Sequence, residues 1–347
     1  MADSIGIEIR NLYKIFGPQS AQLMQAVRNG MTKAVLNEKH HHVLGLNNIN
    51  ISMPAGQIQV IMGLSGSGKS TLIRHINRLI DPTAGEVMVG GDNVVTMSPE
   101  ALRDFRRHKT AMVFQKFALL PNRTLLENTC YGLEVQGIAQ DKRVATALHW
   151  LERVGLKGFE TKYPNQLSGG MQQRVGLARA LANDAPILLM DEAFSALDPL
   201  IRVDMQTILL DLQKEIRKTV VFITHDLDEA LRLGDSIAIL RDGEIIQQGT
   251  SQDIVLRPAD SYIESFVREV NRGRVIRADA AMETANAETL PEVAVDGTCT
   301  LEEAGRLMVQ SGTTRLAVRD PATGRPAGML TMERILAAIT RRSADHA

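Results

Sequence analysis

Apolar residues in this chain occur either as short continuous runs or at helical spacing, and the two patterns alternate. The continuous runs predict buried strands of a sheet covered on both faces, and they are Ile58 to Met62, Ala111 to Phe114, Ile187 to Met190, Val220 to Thr224 and Ile237 to Leu240. Helices are expected from Ser70 to about Leu79, along the face shared by Val144, Leu148, Leu151 and Val154, and from Ser168 to about Ala182. The alternation predicts an α/β protein with a largely parallel sheet and a helical subdomain at about residues 118–184.

A helical insertion is expected at about residues 19–42. Apolar side chains recur there at four-residue steps from Leu23 to Val35, but Asn29-Gly30 would break a single helix, so two short helices are predicted. We expect this pair to pack on the surface, and binding of a membrane surface or a partner is the alternative. The histidines at 40–42 are interpreted as the solvated start of a strand, with adventitious metal binding as the alternative.

The composition changes after about residue 271. Small and acidic residues from Ala278 to Thr289 indicate a linker or a poorly packed stretch. The elements predicted beyond it are a helix from Leu301, strands at Arg315 to Val318 and Gly328 to Leu330, and a helix from Met332 to Ile339. We therefore divide the chain into a first domain at residues 1–270 and a second part at 271–347, which contains a small α/β unit at about 275–340.

Composition and charge exclude several classes of protein. The 347 residues are 44% hydrophobic and 23% charged, which is typical of a globular chain, and a formal net charge of −1 predicts no nucleic-acid partner. The longest uncharged stretch, Val43 to Gly68, contains Asn, Pro and Gln, so no membrane span is expected. Asp3 and Glu8 stand where an export signal would be basic, so we expect the chain to remain inside the cell.

A phosphate-binding motif follows the first predicted strand. It matches G-x-x-x-x-G-K-[ST] and consists of Gly63, Leu64, Ser65, Gly66, Ser67, Gly68, Lys69, Ser70 and Thr71. Glycines let successive backbone N–H groups surround phosphates, Lys69 adds a positive charge, and the Ser70 hydroxyl can bind Mg²⁺. The strand before the motif and the helix after it are the context that the motif requires, so a nucleoside triphosphate site is predicted.

Two adjacent carboxylates, Asp191 and Glu192, end the buried strand that begins at Ile187. Ligands of open α/β sheets bind at this end of the strands. Asp191 is expected to hold Mg²⁺, and Glu192 is expected to act as the general base toward the attacking water. The alternative, two surface acids that cap a turn, is disfavoured beside a phosphate-binding loop.

The sequence Leu167-Ser168-Gly169-Gly170-Met171 begins a helix and offers an anion site. With the two motifs above, its order resembles that of the ATP-binding cassette (ABC) ATPases, whose signature LSGGQ here has Met171 in place of Gln. The resemblance implies a P-loop NTPase fold, ATP and Mg²⁺ as cofactors, and a head-to-tail homodimer. In such a dimer, Ser168, Gly169 and Gly170 would dock on the γ-phosphate of the ATP held by the other subunit.

Further positions match the family one by one. Gln115 resembles the glutamine that senses Mg²⁺ and water and connects to the membrane partner. His225 resembles the switch histidine that contacts the γ-phosphate, and residues 195–198 resemble the loop that crosses the dimer interface. Phe16 stands where family members stack an aromatic ring on adenine, and Tyr13 is the competing candidate.

Longer stretches narrow the resemblance over about residues 8–270. Residues 61–70, 117–121, 190–202 and 222–230, together with the insertion, are similar to the ATP-binding subunits of glycine betaine/proline-type importers. This implies an ATP hydrolase peripheral to the cytoplasmic face of the inner membrane, with a permease and a substrate-binding protein as partners. The implied solutes are glycine betaine, choline, carnitine, proline betaine or trimethylamine N-oxide.

Three alternatives stay open for the function. The first is an amino acid such as histidine as the transported solute, and the second is a soluble cassette ATPase that acts on nucleic acid or ribosomes. The third is a chain that is mainly a regulatory nucleotide-binding module. In an importer, residues 116–128 would receive the coupling helix of the permease.

The C-terminal unit resembles a single cystathionine-β-synthase (CBS) motif. The resemblance rests on Thr313 to Val318 and on Gly328 to Thr331. Relatives that carry this module often have two motifs, and one is visible here. A regulatory role is therefore one expectation, and a dimerisation or vestigial role is the other.

Overall fold

The computed structural model describes residues 4–115, 118–284 and 290–340. Over these residues the strands are β1 (Ile7–Phe16), β2 (Val43–Met53), β3 (Ile58–Met62), β4 (Ala84–Val89), β5 (Asp92–Asn93), β6 (Thr110–Val113), β7 (Ile187–Asp191), β8 (Thr219–Thr224), β9 (Ser236–Arg241), β10 (Glu244–Gly249), β11 (Ala294–Asp296), β12 (Arg315–Arg319) and β13 (Pro326–Thr331). The three sheets that they form have the orders β10-β9-β3-β8-β7-β6, β2-β1-β4-β5 and β11-β12-β13.

The six-stranded sheet contains all five of the predicted buried strands. Its strands are parallel from β9 to β6. β10 follows β9 across the two-residue turn Asp242-Gly243, which is too short for a parallel crossover, so β10 runs antiparallel. Strands β3, β7 and β8 are buried along their whole length, which confirms the prediction from their continuous apolar runs.

The helices connect the strands of the sheets and also form the helical subdomain in the middle of the chain. They are α1 (Met24–Arg28), α2 (Lys33–His40), α3 (Lys69–Ile76), α4 (Pro99–His108), α5 (Leu125–Val135), α6 (Gln140–Arg153), α7 (Gly169–Ala182), α8 (Pro199–Ile216), α9 (Leu227–Leu233), α10 (Ser251–Leu256), α11 (Ser261–Val267), α12 (Arg272–Val275), α13 (Ala278–Ala281), α14 (Leu301–Ser311) and α15 (Met332–Thr340). Helices α5, α6 and α7 pack on one another, where the helical subdomain was expected. Helix α3 ends before the predicted Leu79 because Arg78 has a left-handed backbone (φ +51°).

The main core holds the phosphate-binding loop at both ends. Ile61 of β3 and Leu72 and Ile76 of α3 are fully buried in one cluster with Ile9 and Ile51 of the four-stranded sheet. Burial of apolar side chains is the dominant favourable term in folding. The strand before the loop and the helix after it are therefore both fixed by packing, and the loop between them is positioned by the core.

The insertion consists of the two short helices that the sequence predicts. Helix α1 ends at Arg28, Gly30 has a left-handed backbone (φ +96°), and α2 begins at Lys33 with the Thr32 side chain as its cap. Apolar side chains of this pair, including Leu36, pack with Tyr13 and other residues of β1 and β2 in a second small core.

The chain divides into two units, residues 1–246 and 247–347, within β10. In the second unit, Ile276 and Ala278 are fully buried. The Ala278 N–H donates to the Cys299 carbonyl at 2.7 Å, and the Leu301 N–H donates to the Ile276 carbonyl at 2.9 Å. The predicted linker is therefore wrong over its described part, 278–284, while residues 285–289 lie outside the described residues. The functional boundary predicted near residue 270 stays a prediction.

The C-terminal sheet has the small α/β form that the sequence predicts. β11 pairs with β12 in parallel, and β12 pairs with β13 antiparallel. Helix α14 begins with a capping box between Thr300 and Glu303. Of all the helices described in this chain, none combines the length and the apolar character that a membrane crossing requires.

Candidate active site

The loop between β3 and α3 has a backbone that requires glycine. Gly63, Gly66 and Gly68 have φ values of +156°, +80° and +105°. A Cβ on Gly63 would lie 2.3 Å from the Leu240 carbonyl oxygen, and one on Gly68 would lie 2.7 Å from the Gly45 carbonyl oxygen. The loop runs directly into the N-terminus of α3, where backbone N–H groups and the helix dipole favour an anion.

Lys69 is buried at the centre of this loop. Its side chain is 4% exposed, and its Nζ donates to the Leu64 carbonyl at 3.0 Å and lies 3.8 Å from Glu192 Oε1. Burial lowers the pKa of the Lys69 ammonium, while the carboxylates of Glu192 and Asp191 act in the opposite direction. A phosphate group placed here would meet a poorly hydrated positive charge.

Asp191 is held at both of its oxygens. The Ser70 hydroxyl donates to Oδ1 at 2.8 Å, and Arg74 Nη2 donates to Oδ2 at 3.2 Å. A hydroxyl and a carboxylate are oxygen ligands that Mg²⁺ accepts, and Mg²⁺ at such sites takes its remaining ligands from phosphates and water. No group of three or more His, Cys, Asp or Glu side chains within the described residues could hold a metal. The donor set therefore fits Mg²⁺ that arrives with a nucleotide.

Glu192 lies at the meeting point of three predicted residues. Gln115 Nε2 donates to Glu192 Oε2 at 3.2 Å, and His225 Nδ1 lies 3.5 Å from the same oxygen. Gln115 also donates to the Ser195 hydroxyl at 3.3 Å, and that hydroxyl donates to the Glu192 carbonyl at 2.9 Å. Glu192 itself has a left-handed backbone (φ +47°), which is uncommon for a residue other than glycine and is often found at functional sites. The structure thus brings Gln115, Glu192, His225 and Lys69 together.

Arg202 joins two loops of this site. Its Nη1 pairs with Asp226 Oδ2 at 3.0 Å, and Asp226 directly follows His225. Its Nη2 donates to the carbonyls of Ser195 and Leu197 at 3.4 Å and 3.3 Å. One guanidinium therefore holds the loop at 195–198 against the segment that carries the histidine.

The signature motif forms a helix N-terminus, as the sequence predicts. Ser168 caps α7 by accepting a hydrogen bond from the Met171 N–H at 3.3 Å. A Cβ on Gly170 would lie 2.6 Å from Ile201 Cγ2, so glycine allows α7 to approach α8 closely. Ser168 and Gly169 are exposed. Across the described residues, no hydrogen bond or ion pair joins Ser168 to Lys69 or Glu192.

The two candidates for stacking on adenine differ in exposure. Phe16 is 39% exposed, whereas Tyr13 is 9% exposed and packs in the small core beneath the insertion. Lys14 Nζ lies 5.1 Å from the centre of the Phe16 ring. Of the two rings, Phe16 is the one with a surface available to a ligand.

Comparison with known proteins assigns this geometry to a family. A family model described as "ABC transporter" matches residues 46–195, and one described as "CBS domain" matches residues 287–341. The chain is 54% identical over 294 residues to the glycine betaine transport ATP-binding protein OpuAA of Bacillus subtilis, over 84% of this chain and 70% of that protein. The chain belongs to the ATP-binding subunits of ABC transporters. Its activity is ATP hydrolysis coupled to transport, and the α/β cassette with a small CBS unit is confirmed.

Two further similarities span most of the chain or of the matching structure. The trimethylamine N-oxide transport system ATP-binding protein TmoW of Ruegeria pomeroyi is 42% identical over 315 residues, 90% of this chain and 92% of that protein. A dimeric structure of the ATP-binding cassette MJ0796 in a post-hydrolysis state, bound to ADP and Pi, is 34% identical. It matches with a TM-score of 0.60 over 70% of this chain and 98% of that chain.

Two residues of this site were missed from the sequence. Arg74 and Arg202 contact Asp191 and Asp226, from which they are separated by more than twenty positions, and nothing in their local sequence indicates those partners. The spacing of Ser70 and Arg74 on one helix face is the signal that could have found Arg74, because residues four apart lie side by side. No comparable local signal exists for Arg202.

Proposed function

We propose that this chain is the ATP-hydrolysing subunit of an importer for quaternary amines or related osmolytes. The solute class rests on the two relatives described above, one for glycine betaine and one for trimethylamine N-oxide. The ATPase part rests on the geometry in which Lys69, Gln115 and His225 converge on Glu192. The solute class is thus proposed from similarity to these two relatives, and the mechanism of hydrolysis is proposed from the contacts of Glu192.

Residues 63–71 would hold the phosphates of ATP in this account. The backbone N–H groups of the loop and of the first turn of α3 donate to the phosphate oxygens, and Lys69 adds its charge to the β- and γ-phosphates. Phe16 stacks on the adenine with its exposed ring. Binding at both ends orients the γ-phosphate toward Glu192.

Mg²⁺ would be held by the Ser70 hydroxyl and the Asp191 carboxylate, with the side-chain oxygen of Gln115 proposed as a further ligand. The ion supplies neutralisation of the charge on the phosphate oxygens. Arg74 and Ser70 keep the Asp191 carboxylate in one orientation, because each of its oxygens accepts one of their hydrogen bonds.

Glu192 would act as the general base. Water beside its Oε2 loses a proton to the carboxylate as the oxygen attacks the γ-phosphorus, and the bond to the β-phosphate oxygen breaks. His225 Nδ1 lies 3.5 Å from that carboxylate oxygen and would help to orient it, and Gln115 Nε2 donates a hydrogen bond to the same oxygen at 3.2 Å. These contacts hold the carboxylate beside the position that an attacking water would occupy.

The second half of each site would come from another copy of the chain. Ser168, Gly169 and Gly170 are exposed or partly exposed at the start of α7, and among the described residues no hydrogen bond or ion pair joins them to Lys69 or Glu192. In a head-to-tail homodimer their hydroxyl and N–H groups donate to the γ-phosphate bound by the partner. Met171 replaces the family glutamine one position further on, so these donors are retained.

The remaining partners are a membrane permease and a periplasmic or surface substrate-binding protein. The cassette would sit on the cytoplasmic face of the membrane, with the permease docked near residues 118–128; Lys116 and Phe117 of that predicted region lie outside the described residues. The CBS unit would carry a regulatory role or a dimerisation or vestigial one.

Solute uptake tests this proposal. Vesicles that contain the chain with its permease and binding protein are loaded with ATP and Mg²⁺ and supplied with labelled glycine betaine, choline, carnitine, trimethylamine N-oxide and histidine. We expect ATP-dependent accumulation of one or more amines, absent in Lys69→Ala. Accumulation of histidine alone would contradict the proposed solute class, and uptake unaffected by Lys69→Ala would contradict the ATPase role.

A further inference from the structure

The insertion borders a pocket that the ATPase chemistry leaves unassigned. The pocket has a volume of about 510 Å³ and is lined by Thr32, Lys33, Ala34, Asn37, His42, Val43 and Asp242. Most of these residues belong to helix α2 and to the start of β2. A volume in this range is typical of pockets that take small molecules.

The pocket adjoins the exposed face of Phe16. Phe16 is the strand partner of Val43, and directly opposed residues of antiparallel strands project to the same face. The neighbouring pair Ile15 and Leu44 is buried, whereas Phe16 and Val43 are 39% and 49% exposed. Val43 therefore belongs both to the outer face that carries the Phe16 ring and to the lining of the pocket.

The same surface continues to the phosphate-binding loop. A Cβ on Gly45 would lie 2.6 Å from Cε2 of Phe16, so that ring lies over Gly45. The Gly45 carbonyl oxygen would lie 2.7 Å from a Cβ on Gly68 and 2.9 Å from one on Gly243, so both adjoining loops pass close to it, and the Gly243 N–H donates to the Ser67 carbonyl at 3.0 Å. Val43, which lines the pocket, and Gly45, which lies beneath the Phe16 ring and close to the phosphate-binding loop, thus stand two positions apart on β2.

The polar groups around the pocket differ in how they are engaged. His42 is buried, and its ring nitrogens lie 2.6 Å and 2.7 Å from the carbonyls of His40 and Pro18, which fixes the ring. Lys33 pairs with Asp242 at 3.1 Å, and both side chains are largely exposed, so the pair contributes little and opens easily. The exposed Asn37 amide has no hydrogen bond to any other described side chain or backbone group.

We propose that this pocket takes the edge of the adenine base of bound ATP, and that Asn37 is a specificity-determining residue. An amide presents a donor and an acceptor side by side, which matches the N6 amino group and the ring nitrogen N7 of adenine, whereas the same edge of guanine presents two acceptors, O6 and N7. Phe16 supplies the stacking face and Val43 the apolar side wall. This inference rests on the proposed stacking of the base on Phe16.

Equilibrium nucleotide binding to the full chain tests the assignment without turnover. Asn37→Ala is compared with Glu38→Ala, a neighbouring exposed position on α2 that does not line the pocket. We expect Asn37→Ala to weaken ATP about tenfold, to bring the affinities of ATP and GTP closer together, and to leave inorganic tripolyphosphate unchanged. Glu38→Ala should bind all three like wild type.

Two results would overturn the inference. One is ATP affinity and ATP-over-GTP preference in Asn37→Ala equal to wild type. The other is an equal loss of ATP and tripolyphosphate, which would place the effect at the phosphate loop. A failure of the proposed ATP site itself would give a different result. In that case wild type and Lys69→Ala would bind ATP equally poorly.

Discussion

At the scale of single residues, His75 takes no part in the proposed reaction but has a shifted pKa that can be measured. It lies on the buried side of α3, is 1% exposed, and its Nδ1 is 2.7 Å from the Thr71 carbonyl. Its Nε2 is buried and has no hydrogen-bond partner among the described residues. Burial lowers the pKa of His75 to about 4, so the ring is neutral in the folded chain at neutral pH.

His75 is therefore expected to make the first unit less stable in acid. Between pH 6.5 and about 4, the unfolded chain binds a proton at this ring and the folded chain does not, so the free energy of unfolding falls as the pH falls. The full effect of one such group is about 3 kcal/mol. Above pH 6.5 both states are neutral at this ring, and it contributes no pH dependence.

Urea unfolding at pH 7.0, 5.5 and 4.5 measures this effect. We expect His75→Leu to lose less stability than wild type over that interval, whatever its stability at pH 7. His40→Gln, at an exposed position at the end of α2 with no ion pair among the described residues, is the matched control and should follow the wild-type curve. Parallel curves for His75→Leu and wild type would show that the buried ring does not cause the acid sensitivity.

The site residues that could be predicted from the sequence are those whose chemistry requires consecutive positions in the chain. Gly63 to Thr71 and the pair Asp191 and Glu192 stand out because phosphate cradling and a carboxylate pair at a strand end need consecutive residues. Asn37 and Arg202 do not stand out, because each becomes meaningful only when the fold brings a distant segment beside it.

At the scale of elements, the loop at 195–198 and the segment that carries His225 are linked by Arg202. Asp226 uses one oxygen for Arg202 and the other to cap α9 through the Glu229 N–H. Removing the guanidinium frees both loops at once. Gln115 also contacts the start of this loop, through its hydrogen bonds to Glu192 and Ser195.

Arg202→Met is expected to lower ATP turnover about tenfold while ATP affinity stays unchanged. The physical reason is that the phosphate loop is untouched, whereas the orientation of His225 against Glu192 is no longer held. Arg202→Lys should recover part of the turnover through the pair with Asp226. Turnover and nucleotide affinity are measured separately on the assembled transporter.

Lys214→Met, on an exposed turn of the same helix, serves as the matched control and should leave both quantities unchanged. Equal turnover in Arg202→Met and wild type would show that the link is dispensable. A loss of ATP affinity equal to the loss of turnover would show that the substitution disturbs the whole site.

The elements themselves were largely predictable, with physical reasons for the exceptions. Continuous apolar runs identified the central strands because those strands are buried on both faces. The linker prediction for residues 278–284 was wrong because small residues also pack well: Ala278 is fully buried in the second unit. Composition alone does not distinguish a small buried side chain from a small exposed one.

At the scale of the whole molecule, the two units have separate tasks in this account. The first unit contains Lys69, Gln115, Glu192 and His225, which form one connected group. The second unit contains the CBS match, and its helices α10 and α12 are joined by the hydrogen bond of Gln252 to the Val275 carbonyl at 2.7 Å. Hydrolysis is therefore assigned to the first unit, and the proposals for the second are a regulatory role and a dimerisation or vestigial one.

The central claim is that Glu192 activates the water that cleaves ATP between two copies of this chain. It is tested most directly by ATP turnover of the permease-bound complex with wild-type chain and with Glu192→Gln, alongside nucleotide affinity. We predict that Glu192→Gln lowers turnover at least about a hundredfold, binds ATP as tightly as wild type, and accumulates as a nucleotide-bound dimer. Turnover at the wild-type rate in Glu192→Gln would contradict the account.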